Sequence, residues 1–176
     1  MRVLGVDPGS RKTGWGVVDE TRGELRQLAS GVAASQARDV AERLAVISRE
    51  IDEVLDRWKP DVVALERAFV GRNVASALRL GEVRGVVLAA AGRRGLRVVD
   101  YPPATVKVAV AGSGAAAKNR VAMGVAGLLR VDTEPGDAAD ALAVAICHVR
   151  HDRFSSRLRS ATILPTASRR RVRVSR

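Results

Sequence analysis

Three consecutive segments of strand character come before any helical periodicity in this chain, and that order limits the folds open to it. Residues 2–7 ("RVLGVD") are largely apolar up to a final Asp, and 13–19 ("TGWGVVD") follow a turn containing Pro8, Gly9 and Ser10. Residues 23–33 ("GELRQLASGVA") alternate after Gly23. Short turns between such segments predict an antiparallel meander. From Arg38 to Trp58 the period changes: Val40, Leu44, Ile47, Ile51, Val54 and Leu55 recur at helical spacing, and Pro60 follows the end. Residues 61–66 ("DVVALE") then read as a short, continuously apolar strand of the kind buried inside a parallel sheet. A helix is expected over 73–92, with Asn73 as its cap and Gly92 and Gly95 at its end, and a strand over 96–101, stopped by Pro102 and Pro103. Further helices are expected over about 103–110, 116–130 and 136–150. A meander followed by alternating helix and strand predicts an α/β fold whose sheet is antiparallel in one part and parallel in the other.

A chain of 176 residues with 47% hydrophobic content can bury one sizeable core. No apolar run approaches the roughly 18 residues of a membrane span, so no membrane association is expected. The first apolar run is interrupted by Asp7 and is too short for the core of a signal peptide. The single cysteine, Cys147, falls in an apolar helical stretch and reads as a small core residue, which fits a reducing, cytoplasmic setting. The net charge of +11 is unevenly spread. Residues 153–176 carry eight Arg and no acid, which leaves the preceding residues at only +3. We therefore divide the chain into a folded domain over 1–152 and a basic, disordered tail over 153–176. Such a tail reads either as a solvated extension or as a non-specific phosphate anchor.

Carboxylates stand in awkward places. Asp7 ends the first apolar strand, Glu66 ends "VVALE", and Asp137 and Asp140 lie three apart in the first turn of the last helix. Burying an ionised carboxylate costs several kcal/mol unless a partner charge or a metal compensates. Each residue has an ordinary reading: Asp137 as a helix cap after Gly136, Asp7 in an Asx turn, Glu66 paired with Arg67 or Arg72. Together, four carboxylates from three rigid elements predict one anionic cluster. Like charges that close raise one another's pKa, and a hard divalent cation removes the conflict. Mg²⁺ takes oxygen ligands and requires no His or Cys. Two such ions about 4 Å apart serve phosphodiester hydrolysis by activating a water and steadying the leaving oxygen. His148 lies two to three turns beyond Asp140 and is read as outside the site.

The stretches "GVDPGSRKTGWGVV", "ALERAFVGRNVASALRLGEVRG", "VKVAVAGSGAAAK" and "DAADALAVAICH" resemble, in order and spacing, the RuvC family of Holliday-junction resolvases, over about residues 2–150. The resemblance implies an RNase H-like fold, a five-stranded mixed sheet flanked by helices. It also implies a homodimer that nicks two strands of like polarity at a four-way DNA junction, in recombination and repair. It assigns Asp7, Glu66, Asp137 and Asp140 as ligands of two Mg²⁺ ions per subunit, with Mn²⁺ as a substitute, and Lys107 and Lys118 as basic residues near the scissile phosphate. Phe69, in the loop after Glu66, would stack on or wedge between bases at the branch point. Arg72 and Arg79 would bind phosphates from the following helix or stand as solvated surface charges, and the helix's Val74, Leu78, Val86, Val87 and Leu88 would suit either a dimer seam or ordinary packing on the sheet. Coupling to a branch-migration motor is a further implication. Arg67 stands where family members often carry Gln.

Other readings compete. "GSGAAAKN" departs from a Walker A loop at Ala117 and Asn119. An actin-like or sugar-kinase-like ATPase needs a duplicated domain for which this chain is too short. An RNase H-like nuclease with another nucleic-acid substrate, or a non-catalytic nucleic-acid-binding module, stays open; the latter has no use for converging carboxylates.

Overall fold

The computed structural model describes residues 1–67 and 74–162. In chain order the elements are β1 (Arg2–Asp7), β2 (Lys12–Thr21), β3 (Glu24–Ala34), α1 (Val40–Trp58), β4 (Val62–Glu66), α2 (Val74–Arg93), β5 (Arg97–Tyr101), α3 (Pro103–Ala111), α4 (Lys118–Leu129) and α5 (Asp137–Thr162). The five strands form one sheet in the order β3-β2-β1-β4-β5. β1 pairs antiparallel with β2 and parallel with β4, and β4 pairs parallel with β5. This is the mixed α/β sheet expected from the order of the elements.

Local chemistry explains the joints. Thr21 pairs with Glu24 across a two-residue turn in which Arg22 and Gly23 both have positive φ, 53° and 94°. Such a turn matches the twist of the strands it joins. Asp39 caps α1 by accepting from the Glu42 amide at 3.0 Å, and Lys59 ends it in a left-handed conformation before Pro60.

The central strand alternates between two cores. Val3, with Val18, Val62 and Ala64, packs under α3, α4 and α5 against residues such as Leu142 and Ile146. Leu4 and Val6, with Val17, Val63 and Leu65, pack under α1 and α2 against Ile47, Ile51, Val83 and Val87. A strand covered on both faces needs apolar residues at every position, hence the unbroken run before Asp7.

One boundary differs from expectation, and one open reading is decided. α5 continues to Thr162, so the first ten residues of the segment read as tail are helical. Once the buried first half of α5 is nucleated, propagation costs little and needs no apolar stripe. On α2, Val87 is fully buried against the sheet, so of the apolar residues assigned to a seam only Val74, Leu78 and Leu88 are strongly exposed.

Candidate active site

Because β1 and β4 are parallel neighbours with Val6 opposite Leu65, Asp7 and Glu66 come next in line at the same edge of the sheet. Strand spacing there is about 4.8 Å. Side chains alternate in direction along a strand, so Asp7 follows Gly5, and Glu66 follows Ala64, onto the face covered by α5. The first turn of α5 brings Asp137 and Asp140 to that edge.

Glycine lets the helix come so close. A Cβ on Gly14, the residue paired with Asp7, would fall on the carbonyl of Asp137, and one on Gly5 would fall on the carbonyl of Ala141. The missing side chains form a cradle in which the start of α5 rests directly on β1 and β2. Gly136, whose carbonyl accepts from the Asp140 amide at 3.0 Å, begins the helix. Asp137 is therefore its first residue and not its cap.

Asp7, Glu66 and Asp140 line one cavity of about 280 Å³ together with Lys107 from α3 and Lys118 from α4. Pro103, Val106, Val121 and Ala143 complete the wall. Burial raises the Asp7 carboxyl, and the charges of Glu66, Asp140 and Asp137 push it further, to about 8. Burial and Asp140 raise Glu66 too, against the hydrogen bond with Asp7 and the charges of Lys107 and Lys118. Lys118 Nζ lies 3.4 Å from Asp140 Oδ2, and the charge of Asp140 raises its ammonium. Among the described residues Glu66 forms no ion pair, so pairing with Arg67 does not account for its position.

The structure brings five of the six catalytic candidates, Asp7, Glu66, Asp140, Lys107 and Lys118, to one cavity. Asp137 does not line it, but adds charge from the same first turn of α5. Phe69 and Arg72 lie outside the described residues. Arg79 lines a different cavity, of about 670 Å³, with Ser10, Arg11, Arg38 and Arg43. The last three were not singled out beforehand; basic residues in a loop and on a helix carry no sequence signal that they will meet. His148 is buried away from the carboxylates, its Nδ1 2.8 Å from the Tyr101 hydroxyl.

Among the described residues no three His, Cys, Asp or Glu side chains already stand in a metal-holding arrangement. The donor chemistry nevertheless fits a hard divalent cation. The acids in the cavity offer only carboxylate oxygens, and their mutual repulsion is the stress that a cation relieves.

Residues 3–148 match the family model described as crossover junction endodeoxyribonuclease RuvC. The chain belongs to the RuvC family. The RuvC of Thermomicrobium roseum is 48% identical over 157 residues, covering 87% of this chain and 95% of that protein. The RuvC of Rhizobium leguminosarum bv. trifolii is 42% identical over 163 residues, covering 92% and 96%. The Thermus thermophilus RuvC structure in complex with Holliday junction substrate superposes with a TM-score of 0.83 at 38% identity, covering 89% of this chain and 97% of that one. The yeast mitochondrial Holliday junction resolvase Ydc2, 15% identical with a TM-score of 0.67, shares the fold. The RNase H-like architecture of RuvC is therefore the architecture of this chain.

Proposed function

We propose that this protein is a metal-dependent endodeoxyribonuclease that resolves four-way DNA junctions. The observation that carries the reading is the convergence of Asp7, Glu66 and Asp140 with Lys107 and Lys118 on one cavity, in a chain of the RuvC family. Binding alone would call for cations. Three crowded carboxylates repel a phosphodiester and make sense only around a counter-ion.

Asp7, Glu66 and Asp140 would hold Mg²⁺, with Asp137 adding negative charge from the same first turn of α5, and Mn²⁺ would substitute. The chemistry such a cation would supply there is activation of a water and neutralisation of charge on the departing oxygen. Lys107 and Lys118 hold the non-bridging phosphate oxygens as charge develops on them. The exposed Lys118 exchanges its contact with Asp140 for the substrate. Apolar Val106 and Val121 wall the cavity and limit the water around the reacting group. Phe69 and Arg72 act at the branch point, and Arg79 with Arg11, Arg38 and Arg43 holds phosphates beside it.

Two cuts need two sites, so the active form is a homodimer matching the approximate two-fold symmetry of a junction. The exposed Val74, Leu78 and Leu88 on α2 supply the apolar face for it. Junctions reach it from a branch-migration motor in the cytoplasm, where Cys147 stays a thiol.

Incubation with a synthetic four-way junction and with linear duplex, each in Mg²⁺ or EDTA, tests this. Paired symmetric nicks in the junction, in Mg²⁺ alone, are the expected result. Cutting in EDTA, or equal cutting of linear duplex, would overturn it.

A further inference from the structure

A third cavity, of about 260 Å³, opens at the far end of the sheet where the β2–β3 turn meets the C-terminal end of α4 and the middle of α5. Arg130, Arg150 and Arg153 line it, with Glu24 as the one acid and Leu128 and Val149 on its apolar wall. Arg150 Nη1 donates to the Ala109 carbonyl at 2.5 Å, and Arg153 Nη1 donates to the Gly23 carbonyl at 3.2 Å. Carbonyl acceptors fix these guanidinium groups without neutralising them. Among the described residues none of the three arginines forms an ion pair. Anchored, uncompensated guanidinium groups in a concavity are suited to a phosphate oxyanion, for which their planar donor fork is well matched.

The place of this cavity says which phosphate. Lys118 meets Asp140 where α4 and α5 begin, and Leu128 faces Val149 across the cavity near the end of α4. The two helices therefore run in the same direction, and one seam joins the carboxylate cavity to the arginine cavity. From Lys118 to Arg130 the helix rise gives about 18 Å. Arg157 continues the basic face of α5, seven residues beyond Arg150. A nucleic-acid strand with its reacting phosphate at the carboxylate cavity can follow the seam to the arginines, which a small anion cannot do.

We infer that the Arg130–Arg150–Arg153 cavity binds a backbone phosphate of the junction arm running away from the cut, about 15–20 Å from the scissile phosphate. At 3.4 Å per step along a strand that is roughly four to six nucleotides. The inference rests on the reading of the substrate as junction DNA. It adds a contact that sets how much duplex the enzyme grips, remote from the chemistry.

The test pairs protein variants with neutralised phosphates. Uncharged methylphosphonate linkages are placed one at a time along both strands of one arm, and binding is measured for the wild type, Arg130→Gln and Arg130→Gln/Arg150→Gln. Arg130 caps α4 through its backbone N–H to the Ala126 carbonyl, but its guanidinium makes no hydrogen bond or ion pair among the described residues, so its variant isolates the charge. A linkage roughly four to six nucleotides from the cut should weaken wild-type binding about three- to tenfold and leave the double variant nearly unaffected. Loss of this one phosphate contact in the double variant should also lower the slope of log affinity against log salt by about 0.9. Variants that bind and cut like the wild type, with no linkage coupled to the arginines, would overturn the distal contact while sparing the proposed function. A wild type that fails to bind the junction would overturn both.

Discussion

Between α1 and α2, Asp52 and Asp56 face Arg93 and Arg94, with contacts of 2.6 Å from Arg94 to Asp52, 2.8 Å from Arg94 to Asp56 and 3.0 Å from Arg93 to Asp52. At the edge of the sheet, Asp7, Glu66 and Asp140 share a cavity with two lysines, of which only Lys118 makes an ion pair among the described residues. Burial works against ionisation of Asp52, yet the Arg94 and Arg93 hydrogen bonds overcome it and hold the carboxyl below its ordinary value. The Arg94 hydrogen bond does the same for Asp56. Asp7 goes the other way, to about 8. One pair of acids staples two helices together; the other cluster is left in mutual repulsion that packing alone would never favour. Carboxylates held together against their own repulsion mark the place where a cation belongs.

The largest expected effect separates the two regions by activity. Asp7→Asn, Glu66→Gln or Asp140→Asn should each reduce junction cleavage to background in a gel assay while leaving junction binding largely intact. The same changes should raise the melting temperature of the metal-free protein at pH 8, because they remove repulsion. A variant that loses binding but keeps cleavage would break the comparison.

Gly14→Ala comes next. The added methyl group meets the Asp137 backbone, so α5 must lift or tilt, at a cost of about 1–3 kcal/mol in denaturant unfolding. Cleavage should fall at least tenfold, because the displaced helix carries Asp140. A variant of full stability and activity would mean that the cradle does not set the site.

The third prediction concerns pH in EDTA. Asp7 has a higher pKa folded than unfolded, so the native state holds a proton that the unfolded chain has released. Its contribution is present below about pH 4 and is lost as pH rises towards about 8, by an amount on the order of a few kcal/mol. Calorimetric melting should show this decline, Mg²⁺ should reverse it, and Asp7→Asn should flatten it. Asp52 and Asp56 have depressed values and act with the opposite sign: their contribution is present above the ordinary carboxylate range and lost as pH falls through it.

The smallest effect should come from Asp52→Asn, which weakens a largely solvent-facing network by about 0.5–1 kcal/mol and leaves cleavage unchanged. A loss of activity there would erase the distinction between the two clusters.

Much of this was legible beforehand because the signals are local. An acid that ends an apolar strand, as Asp7 and Glu66 do, is visible in six letters, and the parallel order of β1 and β4 brings the two together. What could not be read depends on distant partners. Nothing in the sequence tells that Arg94 meets Asp52, or that Arg11, Arg38, Arg43 and Arg79 share one cavity. Gly14 looks like any strand glycine until Asp137 is placed above it. The length of α5 was hidden for a different reason: its second half is rich in Ser and Arg, and it extends a helix already anchored by the fully buried residues Ala141 to Ile146.

The most direct measurement is metal binding itself, followed by electron paramagnetic resonance of Mn²⁺ added to the protein at pH 8 without DNA. The wild type should take up the ion, Mg²⁺ should displace it, and Asp7→Asn and Asp140→Asn should each weaken uptake at least tenfold, while Asp52→Asn binds as the wild type does. Equal uptake by the wild type and Asp7→Asn would contradict the account, because the ion would then be held somewhere other than among the converging carboxylates.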